Sequence, residues 1–178
     1  MTGVTEVRWH ARAGQGAKSA AQALALAALA DGKSVQTFPE YGPERRGAPL
    51  RAYTRLAERP IRLHDSVTEP DLVVVLEPSL VHEAGVAEGL KRGGIVLVNG
   101  EEPPPELEGL DVRCVPASRL AAEHGSGFVN LVMLGAAAAA LGAPSLERTQ
   151  AAATQLLGHK AGAERVAGAV EEGYAWAS

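Results

Sequence analysis

Residues 71–76 read Asp-Leu-Val-Val-Val-Leu, a run of apolar residues with a β-branched centre. Such a run is typical of a strand that is buried on both faces in a parallel sheet. Residues 94–99 repeat the pattern, and Pro78 opens a predicted helix over residues 78–92 between them. This strand–helix–strand order predicts a parallel crossover in an open α/β sheet.

The N-terminal part of the chain predicts a βα unit. Residues 6–11 alternate as in a strand, and residues 17–30 are rich in strong helix formers until Asp31-Gly32 ends the helix. Further strands are predicted at residues 34–38, 50–56 and 111–116, and helices at 118–123, 127–142, 146–157 and 163–176. We therefore expect one domain, residues 1–178, with a Rossmann-like, open and mostly parallel sheet, helices on both faces and a helical C-terminal tail.

Composition and charge exclude several classes of function. The net charge of −4 argues against a nucleic-acid-binding protein, which usually has a clustered basic excess. The longest apolar run, residues 128–143, contains Asn130, Gly135 and Gly142 and is too short to span a membrane. No secretion signal is recognisable at the N-terminus, so we expect a cytoplasmic protein without membrane attachment.

Residues for metal or covalent catalysis are scarce. Cys114 is the only cysteine, so this chain alone cannot form a disulfide, a zinc–cysteine site or a four-thiolate iron–sulfur cluster. We expect its thiol to be buried and structural. The five histidines lack metal-ligand spacing, and no nucleophile, acid and base stand together. We therefore predict no catalytic residue and no metal site in this chain.

The first strand-to-helix turn departs from the dinucleotide fingerprint. Its three glycine positions hold Ala11, Ala13 and Gly16, and Gln36 stands where a ribose-binding carboxylate is expected. The turn therefore argues against binding of free NAD. Gly14, Gln15 and Gly16 still suit the binding of an anion by backbone N–H groups at a helix N-terminus. The alternative is a plain strand-to-helix turn.

A loop rich in proline and glycine occupies residues 39–53, Pro-Glu-Tyr-Gly-Pro-Glu-Arg-Arg-Gly-Ala-Pro-Leu-Arg-Ala-Tyr. Arg45 and Arg46 offer bidentate donors for phosphate or carboxylate, and Gly47 lets the backbone turn beside them. Because prolines restrict the loop, ordering it on binding costs little entropy. The loop predicts an anion site or a partner interface, and a solvated surface is the alternative.

Two side-chain patterns lie next to this loop. Glu40 and Glu44 flank its tip, and we expect them to pair with its arginines rather than to form a catalytic dyad. Arg51, Tyr53 and Arg55 share one face of the strand that follows. We expect that face to meet water or a partner.

Together these motifs resemble the gamma subunit of the 2-oxoacid:ferredoxin oxidoreductases. The resemblance rests on the Gly14–Gly16 turn, the aromatic-Pro-x-aromatic-Gly-Pro-Glu-Arg-Arg-Gly-Ala-Pro loop at residues 38–49, an arginine-containing strand at 51–55, and Asn130 followed by Gly135-Ala136. It covers nearly the whole chain. The Arg-Arg-Gly-Ala-Pro form is more similar to the pyruvate branch than to the 2-oxoglutarate branch.

The resemblance implies a subunit, inactive alone, of a complex that decarboxylates pyruvate or a related 2-oxoacid, forms acyl-coenzyme A and reduces ferredoxin. It implies thiamine diphosphate, magnesium and iron–sulfur clusters on alpha, beta and delta subunits, and none of these on this chain. For the isolated chain, a homodimer is an alternative that stays open. Residues near coenzyme A would be Gly14, Gln15, Gly16, Arg45, Arg46 and Gly47.

Ala11 and Ala13 replace glycines of that family, which argues against direct diphosphate contact at the turn. Asn130 is expected to satisfy a buried backbone group or to bond across an interface. Two other functions remain open: a free-standing nucleotide- or coenzyme A-binding protein, and a non-catalytic assembly module.

Overall fold

A computed structural model describes residues 3–41, 47–83, 85–125 and 127–178 of the chain. The strands are β1 (Val4–Arg12), β2 (Ser34–Tyr41), β3 (Pro49–Ala57), β4 (Leu72–Val75), β5 (Ile95–Asn99) and β6 (Asp111–Val115). The helices are α1 (Ala17–Ala30), α2 (Leu80–Glu83), α3 (Ala117–Ala122), α4 (Val129–Leu141), α5 (Leu146–Ala161) and α6 (Ala163–Ala177), with a 3₁₀ turn at Pro105–Leu107.

The strands form one sheet in the order β2-β3-β1-β4-β5-β6. β1, β4, β5 and β6 run parallel, whereas β3 is antiparallel to both β1 and β2. The predicted open, mostly parallel α/β sheet with a helical C-terminal tail is confirmed. The carboxyl ends of the four parallel strands lie at one edge of the sheet, and β1 has β3 on one side and β4 on the other.

Small residues let the helices of the main layer approach closely. This layer consists chiefly of α1, α4, α5 and α6 and covers the sheet face that carries Trp9, Val74 and Leu97. A Cβ added to Gly173 would lie 1.8 Å from the carbonyl oxygen of Val132. The contact between α4 and α6 therefore requires a glycine there. Within the described ranges, no helix combines the length and apolar character needed to cross a bilayer.

The second face of the sheet is covered by shorter elements. Val73, Val75 and Val96 pack there against α2, the 3₁₀ turn and the segment after α2. The predicted helix over residues 78–92 was wrong in its length, because α2 ends at Glu83 and turns follow. Gly89 has φ +73, and a Cβ on it would lie 2.0 Å from the Thr68 carbonyl oxygen, so tertiary contact fixes a turn there.

The expectation of an open arginine-bearing face on β3 was wrong for Tyr53 and Arg55, which are both 1% exposed. The Arg55 Nε atom donates to Glu6 Oε1 at 2.8 Å, and its Nη2 donates to Asp65 Oδ1 at 3.2 Å. Residues 58–69 carry Asp65 over this face, and ion pairing offsets part of the cost of burying the guanidinium. Arg51 is half-buried.

Candidate functional site

A cleft of about 570 Å³ opens at the carboxyl edge of the parallel strands. Its walls come from the loops that follow β1, β4, β5 and β6 and from the segment leading into α4. Gly14, Gln15, Glu77, Asn99 and Arg119 are among the residues that line it. Open α/β sheets bind ligands in such a crevice, where neighbouring strands connect in opposite directions.

The predicted Gly14–Gly16 turn forms one wall of this cleft. Gly16 has φ +83, and its carbonyl oxygen accepts a hydrogen bond from Asn130 Nδ2 at 3.3 Å. A Cβ on Gly16 would lie 2.5 Å from that Nδ2 atom. The turn therefore needs glycine for its backbone angle and for the approach of α4. The predicted backbone-satisfying role of Asn130 is confirmed.

The Gln15 side chain stabilises the turn through two hydrogen bonds within the chain. Its Oε1 accepts from the Arg12 backbone N–H at 2.7 Å, and its Nε2 donates to Glu77 Oε2 at 2.8 Å. Both ends of the amide thus have protein partners. Lys18, in the first turn of α1, is exposed.

Glu77 places a negative charge in the cleft. Burial by itself raises the pKa of the Glu77 carboxyl, but hydrogen bonds from Gln15 and Ser79 and the nearby Arg12 charge outweigh burial and lower it overall. Ser79 Oγ donates to Glu77 Oε1 at 2.9 Å. An ionised carboxylate here disfavours the binding of a phosphate group on the cleft floor, the part of the cleft next to Glu77.

The far wall of the cleft is fixed by Asn99 at the end of β5. Its Nδ2 atom donates to the Leu76 carbonyl oxygen at 3.0 Å, and its Oδ1 accepts from the Ser118 backbone N–H at 3.1 Å. Arg119 Nε donates to Glu101 Oε1 at 3.2 Å on the rim. Asn99 thus joins the ends of β4 and β5 to the start of α3.

Arg12 connects the turn to the base of the proline-rich loop. Its Nη1 atom donates to the Gly47 carbonyl oxygen at 3.2 Å, and its Nη2 donates to Glu83 Oε1 at 2.7 Å. The Ala13 backbone N–H also donates to the Ala48 carbonyl oxygen at 3.0 Å. The structure therefore brings Gly47 to the Gly14–Gly16 turn.

The other predicted loop residues, Arg45 and Arg46, lie outside the described residues, as does Glu44. The predicted pairing of Glu40 with the loop arginines stays a prediction. The Glu40 carboxylate accepts a hydrogen bond from the Tyr53 hydroxyl.

Arg12, Glu77 and Asn99 were missed by sequence reasoning. Each is a polar residue at or just after the end of a strand in the parallel part of the sheet. That position is the sequence signal by which all three could have been found, because the ligand crevice of an open α/β sheet lies at those ends.

The single cysteine differs from its expected state. Cys114 is half-buried rather than buried, and burial, followed by the charge of Glu102, raises the pKa of its thiol. The Trp176 Nε1 atom donates to the Cys114 carbonyl oxygen at 3.0 Å and joins α6 to β6. Within residues 3–41, 47–83, 85–125 and 127–178, no three His, Cys, Asp or Glu side chains are grouped to hold a metal ion.

The fold and the cleft define the class of this protein. It is an open α/β protein with a crevice at the carboxyl ends of its parallel strands, next to the base of the proline-rich loop. Residues 6–176 match the sequence model of the pyruvate ferredoxin/flavodoxin oxidoreductase family, and the chain belongs to this family. The resemblance to this family, predicted from the loop motif, is thereby confirmed.

Relatives cover the chain almost completely. The pyruvate/ketoisovalerate oxidoreductases common subunit gamma of Thermococcus kodakarensis is 46% identical over 176 residues, which are 95% of each chain. The crystal structure of pyruvate oxidoreductase subunit PORC from Thermotoga maritima has 37% identity and a TM-score of 0.84, covering 97% of this chain and 96% of that one.

A more distant structure shares the fold alone. The 2-oxoglutarate:ferredoxin oxidoreductase from Magnetococcus marinus, solved with 2-oxoglutarate, coenzyme A and succinyl-CoA bound, has 21% identity and a TM-score of 0.81. The similarity covers 98% of this chain and 31% of that chain. This chain thus corresponds in fold to one part of a longer polypeptide in that protein.

Proposed function

We propose that the chain is the gamma subunit of a pyruvate-type 2-oxoacid:ferredoxin oxidoreductase. The complex oxidatively decarboxylates pyruvate or a related 2-oxoacid, forms the acyl-coenzyme A and passes the electrons to ferredoxin. Family membership over residues 6–176 and relatives that align along 95% of both chains support this proposal. The chain contributes to the complex as a subunit and is not an enzyme by itself.

The redox and thiamine chemistry belongs to other subunits in this proposal. Four-thiolate clusters need four cysteines, and this chain has one, Cys114. We assign the iron–sulfur clusters, thiamine diphosphate and magnesium to alpha, beta and delta subunits, through which ferredoxin also receives electrons. The gamma chain then contributes binding and positioning.

The residues proposed to face coenzyme A are the turn and the loop, namely Gly14, Gln15, Gly16, Arg45, Arg46 and Gly47. The observation that carries this assignment is the pair of hydrogen bonds that join turn and loop base, Arg12 Nη1 to Gly47 O at 3.2 Å and Ala13 N to Ala48 O at 3.0 Å. Turn and loop base therefore form one continuous surface beside the cleft.

The charges of this surface suit phosphate groups at the loop rather than on the cleft floor. Two adjacent guanidinium groups bind phosphate through paired hydrogen bonds. Glu77, in contrast, is held ionised on the cleft floor and repels phosphate. We therefore assign the binding of the coenzyme A phosphates to Arg45 and Arg46. The role that we assign to Gln15 is to stabilise the turn.

The test is a double variant, Arg45→Ala with Arg46→Ala, in the complex purified anaerobically through a tag on this chain. Coenzyme A-dependent reduction of a viologen dye is measured with pyruvate and with other 2-oxoacids. We expect the KM for coenzyme A to rise while the KM for pyruvate stays unchanged. The control is Arg113→Ala, an exposed residue on β6 that pairs with Asp111.

Each outcome of this test bears on a different part of the proposal. Unchanged kinetics in an intact complex would remove the coenzyme A assignment. Loss of the other subunits from the purified material would give the arginines an assembly role instead. A chain that purifies alone and binds a nucleotide by itself would contradict the gamma-subunit proposal and favour the free-standing protein.

A further inference from the structure

A second cavity, of about 430 Å³, lies on the opposite face of the sheet from the main helix layer. The sheet contributes Arg8 from β1, Glu40 from β2, and Arg51 and Tyr53 from β3. Residues 66–69 together with Gly85, Glu88 and Gly89 supply the surrounding wall. None of these residues lines the cleft at the strand ends. The cavity is therefore a separate feature from the proposed coenzyme A surface.

Arg8 is a buried cation in this wall, with 5% of its surface exposed. Its Nε atom donates to His10 Nε2 at 3.1 Å, and its Nη atoms donate to the carbonyl oxygens of Val67, Val86 and Glu88. All four acceptors are neutral or backbone groups, and no described carboxylate forms an ion pair with Arg8. Arg8 thus holds the two wall segments together without a direct ion pair among the described residues, although the charge of Glu88 acts on it.

A second cation stands close by. Arg51 pairs with His10 across β1 and β3, and it also has no ion pair among the described residues. Burial, then the charges of Arg8 and Arg51, lower the pKa of His10 to about 3, so the imidazole is neutral and adds no positive charge. Two like charges near each other in a partly buried site repel, and an anion bound between them offsets that repulsion.

The acidic residues around the cavity define which anion fits. Glu40 lies opposite Arg51 in the register of β2 and β3, although no ion pair joins these two among the described residues. The Glu40 carboxylate accepts the one proton that the Tyr53 hydroxyl can donate. Glu69 and Glu88 are exposed at the cavity rim. Their charges oppose entry of a multiply charged phosphate more strongly than entry of a group with a single negative charge.

We propose that this cavity is a binding site for a carboxylate group, which Arg51 contacts and the buried Arg8 charge attracts. The carboxylate is either an aspartate or glutamate side chain of a partner subunit or a small free carboxylate. Both sources offer the same planar, singly charged group, which suits the fork of an arginine. The site is independent of the coenzyme A assignment, because it lies on the other face of the sheet.

The first measurement uses the full chain and sodium acetate as the probe. We expect acetate to raise the unfolding midpoint above the value in sodium chloride at equal ionic strength, because a ligand of the folded state stabilises it by mass action. Arg51→Gln should weaken acetate binding about tenfold or more, the effect of losing one charge-assisted pair. Arg113→Gln, far away on β6, should leave the acetate effect unchanged.

The assembled complex distinguishes the two sources. If a partner side chain fills the cavity, the acetate effect disappears in the complex and Arg51→Gln raises the dissociation constant of this chain from its partners. If a free carboxylate fills it, the acetate effect persists in the complex. Acetate that acts no differently from chloride, together with an unchanged dissociation constant for Arg51→Gln, would overturn the proposal.

A second variant protects the test against misfolding of the first. Arg51→Lys keeps the charge but loses the planar fork, so we expect it to retain part of the acetate effect. An acetate effect of full size in Arg51→Lys and in a folded Arg51→Gln would also contradict the assignment of Arg51 as the contacting residue.

Discussion

Replacing Gly16 by alanine tests how the wall of the cleft is built. A left-handed backbone at φ +83 costs an alanine about 1–2 kcal/mol relative to glycine. The new Cβ would also lie 2.5 Å from Asn130 Nδ2, so that side chain must move and give up its hydrogen bond to the Gly16 carbonyl oxygen. Losing that bond costs about 1 kcal/mol. We expect the free energy of unfolding to fall by about 2–3 kcal/mol in Gly16→Ala, the sum of these terms.

Gly14→Ala is the matched control for the backbone contribution. Gly14 has φ +96, but nothing lies within 4 Å of the position of its Cβ. We therefore expect Gly14→Ala to cost only the backbone part, about 1–2 kcal/mol. The difference between the two variants measures the contact with Asn130.

A double-mutant cycle with Asn130→Ala isolates that contact further. With Asn130 truncated, Gly16→Ala has no side chain to displace, so the two substitutions should couple by about 1 kcal/mol. Gly14→Ala should be additive with Asn130→Ala. The free energies come from urea unfolding of the full chain followed by circular dichroism. Equal losses for Gly16→Ala and Gly14→Ala, or additivity of Gly16→Ala with Asn130→Ala, would refute the reasoning.

Two more predictions follow from the fold and the cleft. Gly173→Ala should lower the free energy of unfolding by about 2–4 kcal/mol, because its Cβ would meet the Val132 carbonyl oxygen at 1.8 Å, whereas Gly127→Ala, with open space around it, should change little in the same urea assay. The lowered pKa of Glu77 gives stability that is present above the ordinary value of 4.5 and is lost as the pH falls through the lower folded-state value. Glu77→Gln should therefore flatten the acid limb of stability against pH, measured by urea midpoints, and an unchanged acid limb would contradict the network.

Local signals in the sequence predicted most of the elements. Alanine and leucine predicted a helix over residues 17–30, and α1 spans Ala17–Ala30 because Asp31-Gly32 ends it as expected. The buried strands at 71–76 and 94–99 were equally clear, since their apolar runs contain no break. Local propensity and tertiary packing agree at these positions.

Tertiary contacts explain where the fold departed from the predictions. The residues after α2 form turns because Gly89 must approach the Thr68 carbonyl oxygen, a contact that helical periodicity does not encode. Arg55 is buried because residues 58–69, which have no regular structure, carry Asp65 over β3. A segment without periodicity gives no signal of which surface it covers.

Only part of the candidate site was predicted, because local sequence does not encode the tertiary contacts that build the rest. Gly14, Gln15 and Gly16 were found because glycine at a strand-to-helix turn has a known use, and Gly14 and Gln15 line the cleft. Arg12 and Glu77 were missed because their partners are up to about 71 positions away along the chain, as in the bond from Arg12 to Glu83. Side-chain networks of this span exist only once the fold has formed.

The hydrogen bond between Asn130 and Gly16 joins residues that are 114 positions apart. During synthesis the ribosome releases β1 and α1 long before α4, so the turn between them emerges without the side chain that packs against it. A contact of this sequence separation forms late, because the intervening loop must be closed first. The wall of the cleft is therefore completed only after most of the chain has been translated, and nascent chains that end before α4 cannot present the finished turn to a partner subunit.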